Sequence, residues 1–232
     1  MKSNMFQGNY LFHLHTERTD GKLFIQDYFA AACRCGARSI IFLEHIRKYP
    51  GYDVEAFVKE IRDSAREAGV DAFIGFETRL LPNGSLDISD KHLELAEVIG
   101  IAEHGFPDNV ELLKLSFLKV LDLYRYKMRS KNFVWVHPGL WFKRRGMNPA
   151  HSLHYLSMLA HAQKADLLIE RNLRYGLIDE SLVSQITPSS LVVGADAHTA
   201  EDLKVWTNWQ SSYTYQCPAC DCPPAGRAVG RQ

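Results

Sequence analysis

The sequence predicts an α/β fold, a distorted (β/α)7 TIM-like barrel of parallel strands, on three observations. Strand-like and helix-like segments alternate almost from end to end, and repeated β-then-α order implies parallel strands joined by right-handed crossovers. The strand segments are short apolar runs bounded by turn or loop residues. Residues able to bind metal or move protons gather at the ends of those runs, where the functional residues of a (β/α) barrel collect. A chain of 232 residues suits one such domain.

The first strand is expected over 10–15, followed by a helix over 24–35 whose small residues pack inward. "SIIFLEH" (39–45) reads as a buried strand, and "VEAFVKEIRDSAREAG" (54–69) carries apolar residues at helical spacing and stops at Gly69. "VDAFIGFE" (70–77) is the next strand, and the Pro-Asn-Gly after it marks a tight turn. In "LAEVIGIAEH" (95–104) the second half is assigned as strand, and 108–126 as an amphipathic helix. "NFVWVH" (132–137), "ADLLIE" (165–170) and "SLVVGAD" (190–196) complete the strands, with helices near 149–163 and 178–186 between them. The domain is expected over 1–210. The tail, 211–232, shifts to Pro, Gly, Cys and Arg without periodicity and is expected to be flexible.

An apolar fraction of 46% with 23% charged residues is ordinary globular composition. The 27 basic and 27 acidic residues cancel, which argues against an extended nucleic-acid partner. No apolar run reaches membrane-spanning length, and the N-terminus lacks a signal-peptide core. Five cysteines, two of them one residue apart, do not form a secreted disulfide framework, so a cytoplasmic location is expected. Cys217, Cys220 and Cys222 in "CPACDC" offer three thiols where a closed structural zinc site normally uses four ligands, so free thiols are expected there. Cys33 and Cys35 read as packing residues of the first helix.

Strand ends supply His13 and His15 with Asp20 beyond them, then Glu44 and His45, Glu77, Glu103 and His104, His137, Glu170, and last Asp196 and His198. One His-x-His pair alone leaves chelation and an ordinary core histidine equally open. Six histidines and several carboxylates converging on one barrel mouth would be costly without compensation. Divalent cations remove that cost, because neutral imidazole and ionised carboxylate are their natural ligands. His92, His151, His154 and His161 fall in helical or loop stretches and read as surface or structural.

This ordered set resembles the PHP family, the polymerase-and-histidinol-phosphatase metal-dependent phosphoesterases, over residues 10 to about 205. The matching motifs are "LFHLHTERTDG", "LEH" (43–45), "GFE" (75–77), "IAEH" (101–104), "VHPG" (136–139), "ERN" (170–172) and "GADAH" (194–198). Leu11 replaces the family's usual acidic residue, and Leu43-Glu44 replaces its Thr-Asp, which leaves substrate and metal preference open. The resemblance implies two or three divalent ions (Zn, Mn or Fe) and all nine of the family's direct ligands. One ion would take His13, His15, Glu77 and Asp196; a second would share Glu77 and add His104 and His137; a third would take Asp20, His45 and His198. Glu77, Asp196 and His198 are expected to be catalytic, with a metal-bridging hydroxide attacking phosphorus.

Basic residues Arg79, Lys143, Arg144, Arg145, Arg171 and Arg174 follow these strands, and Arg171 and Arg174 are the expected phosphate ligands, Arg171 first. The expected activity is hydrolysis of a small phosphomonoester. The alternatives are a phosphodiesterase or exonuclease on nucleotides or short oligonucleotides, with Trp135, Trp141 and Phe142 as stacking candidates, and a non-catalytic metal-bound accessory module. The substrate and the oligomeric state are not legible.

Overall fold

The computed structural model describes residues 4–214. Its strands are β1 (Tyr10–Phe12), β2 (Ser39–Ile41), β3 (Glu44–His45), β4 (Asp71–Phe73), β5 (Gly75–Arg79), β6 (Val98–Ala102), β7 (Asn132–Trp135), β8 (Leu168–Asn172) and β9 (Leu191–Gly194). The helices are α1 (Ile25–Cys35), α2 (Val54–Ala68), α3 (Asp90–Leu95), α4 (Val110–Tyr124), α5 (Leu140–Lys143), α6 (Leu153–Lys164), α7 (Glu180–Val183) and α8 (Ala200–Thr214).

All named strand pairs are parallel, in the orders β1-β2-β4 and β3-β5-β6-β7-β8-β9. These two groups form one ring. Two expected single strands are each split in two, 39–45 into β2 and β3, and 70–77 into β4 and β5. Backbone hydrogen bonds cross the interruptions: Leu43 N–H donates to Leu14 O at 3.1 Å and Phe42 N–H to Phe73 O at 3.2 Å. The last strand returns to the first through Ala195 N–H to Phe12 O and Ala197 N–H to His13 O, both 2.9 Å. The seven expected strand positions are therefore present in chain order around a (β/α) barrel.

Strand alternation sorts the apolar residues into two cores. Phe12, Ile41, Leu43, Val98, Ala102, Val134, Val136, Leu168 and Val192 fill the barrel interior, and Met5 packs with them. Leu11, Ile40, Phe42, Phe76, Ile99, Ile101, Phe133, Trp135 and Ile169 face outward under the helices. The helix signals hold in detail. Asp53 caps α2 by accepting from Ala56 N–H at 3.0 Å, and the left-handed Gly69 ends it as predicted.

Three helices were not read from the sequence: α3, α5 and α8. Helix α8 runs to Thr214, past the expected domain boundary at 210, and the segment with Cys217, Cys220 and Cys222 lies outside the described residues. Cys33 is exposed rather than packed, because it lies on the solvent side of α1. No helix among the described residues is long and apolar enough to cross a membrane.

Candidate metal centre

The nine ligand-type residues come together at one end of the barrel. Four groups have potential ligand atoms close enough to share an ion: His15, Asp20, His45 and His198; His13, His15 and Glu77; His13, His137 and Asp196; Glu77, His104 and His137. His45, Glu77 and His104 reach the cluster by simple alternation, each two residues beyond an inward-facing residue. His13 and His137 do not. Phe12 and Val136 are inward, so regular strands would turn the next residue outward. Both histidines have left-handed backbones, φ 68° and 33°, which swing their rings into the mouth, and Asp196 is also left-handed at 50°. Such residues cost about 1–3 kcal/mol each and cluster at functional sites.

Glu77 is the hub. Its Oε2 lies 3.0 Å from His13 Nε2 and 3.5 Å from His15 Nε2, while Oε1 lies 3.3 Å from His137 Nε2 and 3.6 Å from His45 Nδ1. Each oxygen thus faces a different side of the cluster. At the rim, Asp20 lies between His45 and His198, at 3.3 Å from each Nε2. Gly21 makes that loop possible: its N–H donates to Thr16 O at 3.0 Å, and a side chain there would collide with the His15 carbonyl.

Three further buried carboxylates hold the ligands rather than join them. Glu170 Oε1 lies 2.5 Å from His13 Nδ1, and its Oε2 accepts the His137 N–H at 2.5 Å and the Asn172 amide at 3.1 Å. With a proton on His13 Nδ1, the lone pair of Nε2 faces the cluster. Glu103 accepts from the Trp135 indole and from Gly139 N–H, fixing the turn after His137. Glu44 accepts from Thr16 N–H at 2.7 Å, from the Thr16 and Thr19 hydroxyls, and from His45 N–H at 3.1 Å, which ties down the Asp20 loop.

The buried imidazoles and carboxylates of the cluster shift one another strongly. Burial would depress His13, but Glu170 and Asp196 prevail and hold it well above its ordinary value. His45 and His137 are likewise raised, burial being outweighed by Glu77 and other neighbouring carboxylates. His15 is pushed well down by burial and by the imidazoles of His45, His13 and His198, and His104 falls to about 3 through burial and His137. Glu77 stays well below the usual carboxylate range: burial opposes ionisation, but His137 and His45 outweigh it. Glu103 rises to about 7, because burial outweighs the Trp135 hydrogen bond and the charge of His137. Five buried ring nitrogens, His15 Nδ1 and Nε2, His45 Nδ1, His104 Nδ1 and His137 Nδ1, have no hydrogen-bond partner. Orphaned buried polar atoms are costly, and a divalent ion with nitrogen and carboxylate ligands satisfies them. The residues present therefore fit the implied ions.

The cluster opens into a cavity of about 360 Å3, whose lining includes Glu77, Asp196, His198, Lys22, Arg144 and Arg174. Arg174 sits 3.5 Å from Asp196 Oδ1 and 2.5 Å from His198 Nδ1. The order of the two expected phosphate ligands is corrected here. Arg171 does not line the cavity; it follows the inward Glu170, so alternation turns it outward, where it pairs with Glu180 on α7 at 2.6 Å. Lys22 and Tyr175 were missed by sequence reasoning, since neither lies at a strand end. The stacking candidates are not in the cavity either: Trp135, Trp141 and Phe142 are fully buried in the outer core. His92, His151, His154 and His161 stand apart from the cluster as expected.

No protein-family model matches this chain, and no curated protein matches it. Solved structures do. Histidinol phosphate phosphatase from Lactococcus lactis subsp. lactis Il1403, complexed with zinc, L-histidinol and phosphate, aligns with a TM-score of 0.57 at 15% identity, covering 88% of this chain and 93% of that one. An amidohydrolase II aligns with a TM-score of 0.53 at 13% identity, covering 92% of this chain and 93% of that one. At these identities the likeness is one of fold: the chain shares the (β/α) barrel of these two enzymes over nearly its whole described length.

Proposed function

We propose that the chain is a metal-dependent phosphoesterase of the polymerase-and-histidinol-phosphatase type, acting on a small phosphomonoester. The carrying observation is the convergence of nine ligand-type side chains, with five orphaned buried ring nitrogens, at a cavity that seven of them line together with Lys22, Arg144 and Arg174 and that His13 and His15 underlie. The family motifs in order, and the fold shared with a phosphatase whose structure contains zinc and phosphate, support the same reading.

His13, His15, Glu77 and Asp196 would hold one ion, Glu77, His104 and His137 a second, and Asp20, His45 and His198 a third. The spatial groups differ in that His15 also reaches the rim set and Asp196 also groups with His13 and His137. Ions there would supply Lewis acidity and lower the pKa of bound water to about 7. The chain's own residues do the rest. Arg174 and Arg144 grip the phosphate oxygens and Lys22 adds charge at the wall. Glu77, held ionised by its imidazole neighbours, orients the attacking water. Asp196 Oδ1 takes up the proton that water loses and gives it to the departing oxygen, and His198, whose Nδ1 lies 3.3 Å from Asp196 Oδ1 and 2.5 Å from Arg174, positions both.

The test is hydrolysis of matched chromogenic phosphomonoester and phosphodiester substrates by metal-reconstituted protein, with His13→Ala as the control. Monoester turnover that disappears in the variant is the expected result. Dominant diester turnover would transfer the assignment to nucleotides and short oligonucleotides. No turnover of either, with metal bound, would overturn the phosphoesterase assignment and leave a binding module.

A further inference from the structure

We propose that the mouth has a second anion-binding lobe built on Arg47 and Arg79, so that the preferred substrate is a phosphomonoester whose alcohol part carries a second anion, a carboxylate or another phosphate. This rests on the phosphomonoesterase reading above.

Strands β3 and β5 run in register, His45 opposite Glu77. Their pairing continues past the strand end, because Ile46 N–H donates to Glu77 O at 2.9 Å. Arg47 and Arg79 are each two residues beyond these partners. They therefore stand side by side, on the inward phase, one step further out of the barrel.

Both arginines line a hollow of about 440 Å3 with Arg18 and Tyr52. Asp20, His45 and His104 border this hollow and the 360 Å3 cavity alike. The two spaces meet across those three side chains, so one small molecule can occupy both.

The lobe carries charge that the protein leaves unbalanced. Arg18 is engaged by Glu60 at 2.6 Å and Glu17 at 3.2 Å. The carboxylate within ion-pair distance of Arg47 is Asp87, 3.7 Å from its Nε, which also accepts the Lys48 N–H, while Arg47 Nη1 donates to the Ile46 carbonyl at 2.7 Å. Exposed Arg79 has no carboxylate within ion-pair distance among the described residues. Adjacent like charges on neighbouring strands are unfavourable, and an anion held between two guanidinium forks reverses the sign of that interaction. The scissile phosphate has cations of its own in Lys22, Arg144 and Arg174. A substrate with an uncharged alcohol part would leave the Arg47–Arg79 pair uncompensated.

The test compares zinc-loaded wild type with Arg79→Met and Arg47→Met/Arg79→Met. Its first readout is the ratio of kcat/KM for 3-phosphoglycerate over glycerol 3-phosphate, and for fructose 1,6-bisphosphate over fructose 6-phosphate. Wild type is expected to favour the doubly anionic member by about tenfold or more, falling towards parity in the double variant. The pair with the larger ratio identifies the second anion as carboxylate or phosphate. The second readout needs no turnover: calorimetric titration with 4-phosphonobutyrate against butylphosphonate, where the carboxylate-bearing probe should bind tighter to wild type alone. Ratios near one in wild type, with equal binding of the two phosphonates, would overturn the lobe while leaving the phosphatase intact. Tighter binding of 4-phosphonobutyrate with no monoester hydrolysed would retain the lobe and remove the phosphatase.

Discussion

Glu170 shows how much of this site depends on a side chain that is not expected to touch an ion. It receives His13, the His137 backbone and Asn172 at once, so Glu170→Gln would confront His13 Nδ1 with an amide that can donate instead of accept. The expected outcome is a loss of about 10–100-fold in metal affinity with the fold retained, measured by chelator competition and circular dichroism. Protons compete for the same imidazoles. His13, His45 and His137 are raised, so without ions they stay protonated above their ordinary value near 6.5 and must lose protons when metal enters. Apparent metal affinity should therefore climb as pH rises from about 6 to 8, with protons released to buffer; titration calorimetry in buffers of differing ionisation enthalpy measures both. An affinity flat across that range would contradict the prediction. The ligand-type residues were legible because they sit at strand ends. What strand periodicity does not encode is the left-handed turn at His13 and His137, without which a regular strand turns both rings away. Arg171 is the converse case, since alternation from Glu170 already pointed it outward.

Two elements, β9 and α8, are held close against the centre. Gly194 of β9 lies against Glu170 so closely that an added Cβ would overlap the carboxylate. Gly194→Ala should destabilise the protein by about 1–3 kcal/mol and lower metal content together, read by denaturant unfolding and elemental analysis. Helix α8 starts from a reciprocal cap: Asp202 accepts from Thr199 N–H at 2.9 Å and from His198 N–H at 3.0 Å, while Thr199 Oγ1 accepts from Asp202 N–H at 3.3 Å. Asp202→Ala should cost about 0.5–2 kcal/mol by the same unfolding measurement, and it frees the backbone that places His198. That helix was missed because 200–214 is polar with few apolar positions, although Thr-x-x-Asp at 199–202 was a start signal. The split strands were not legible either: 39–45 and 70–77 read as continuous apolar runs, and periodicity does not show where ladder pairing is interrupted.

For the whole molecule, stability and occupancy should be linked. The cluster gathers buried charge and orphaned nitrogens in one place, so ions that bind only the folded chain add about 2.7 kcal/mol at a hundredfold excess over Kd. Dialysis against a chelator should lower Tm and re-addition of zinc should restore it, followed by scanning calorimetry with metal quantified in each sample. A Tm indifferent to metal would count against the whole centre. The closure of β9 onto β1 also has a consequence for synthesis. Seven of the nine ligand-type residues, His13 to His137, precede residue 138, but Asp196 and His198 lie just beyond the Ala195–Phe12 bond that shuts the ring. A chain emerging from a ribosome therefore carries an open sheet edge at β1 for most of its translation. It offers an incomplete chelate until the final strand arrives. Premature capture of a wrong metal by the early histidines, and edge-to-edge pairing of unfinished chains, are the hazards this topology sets for the cell.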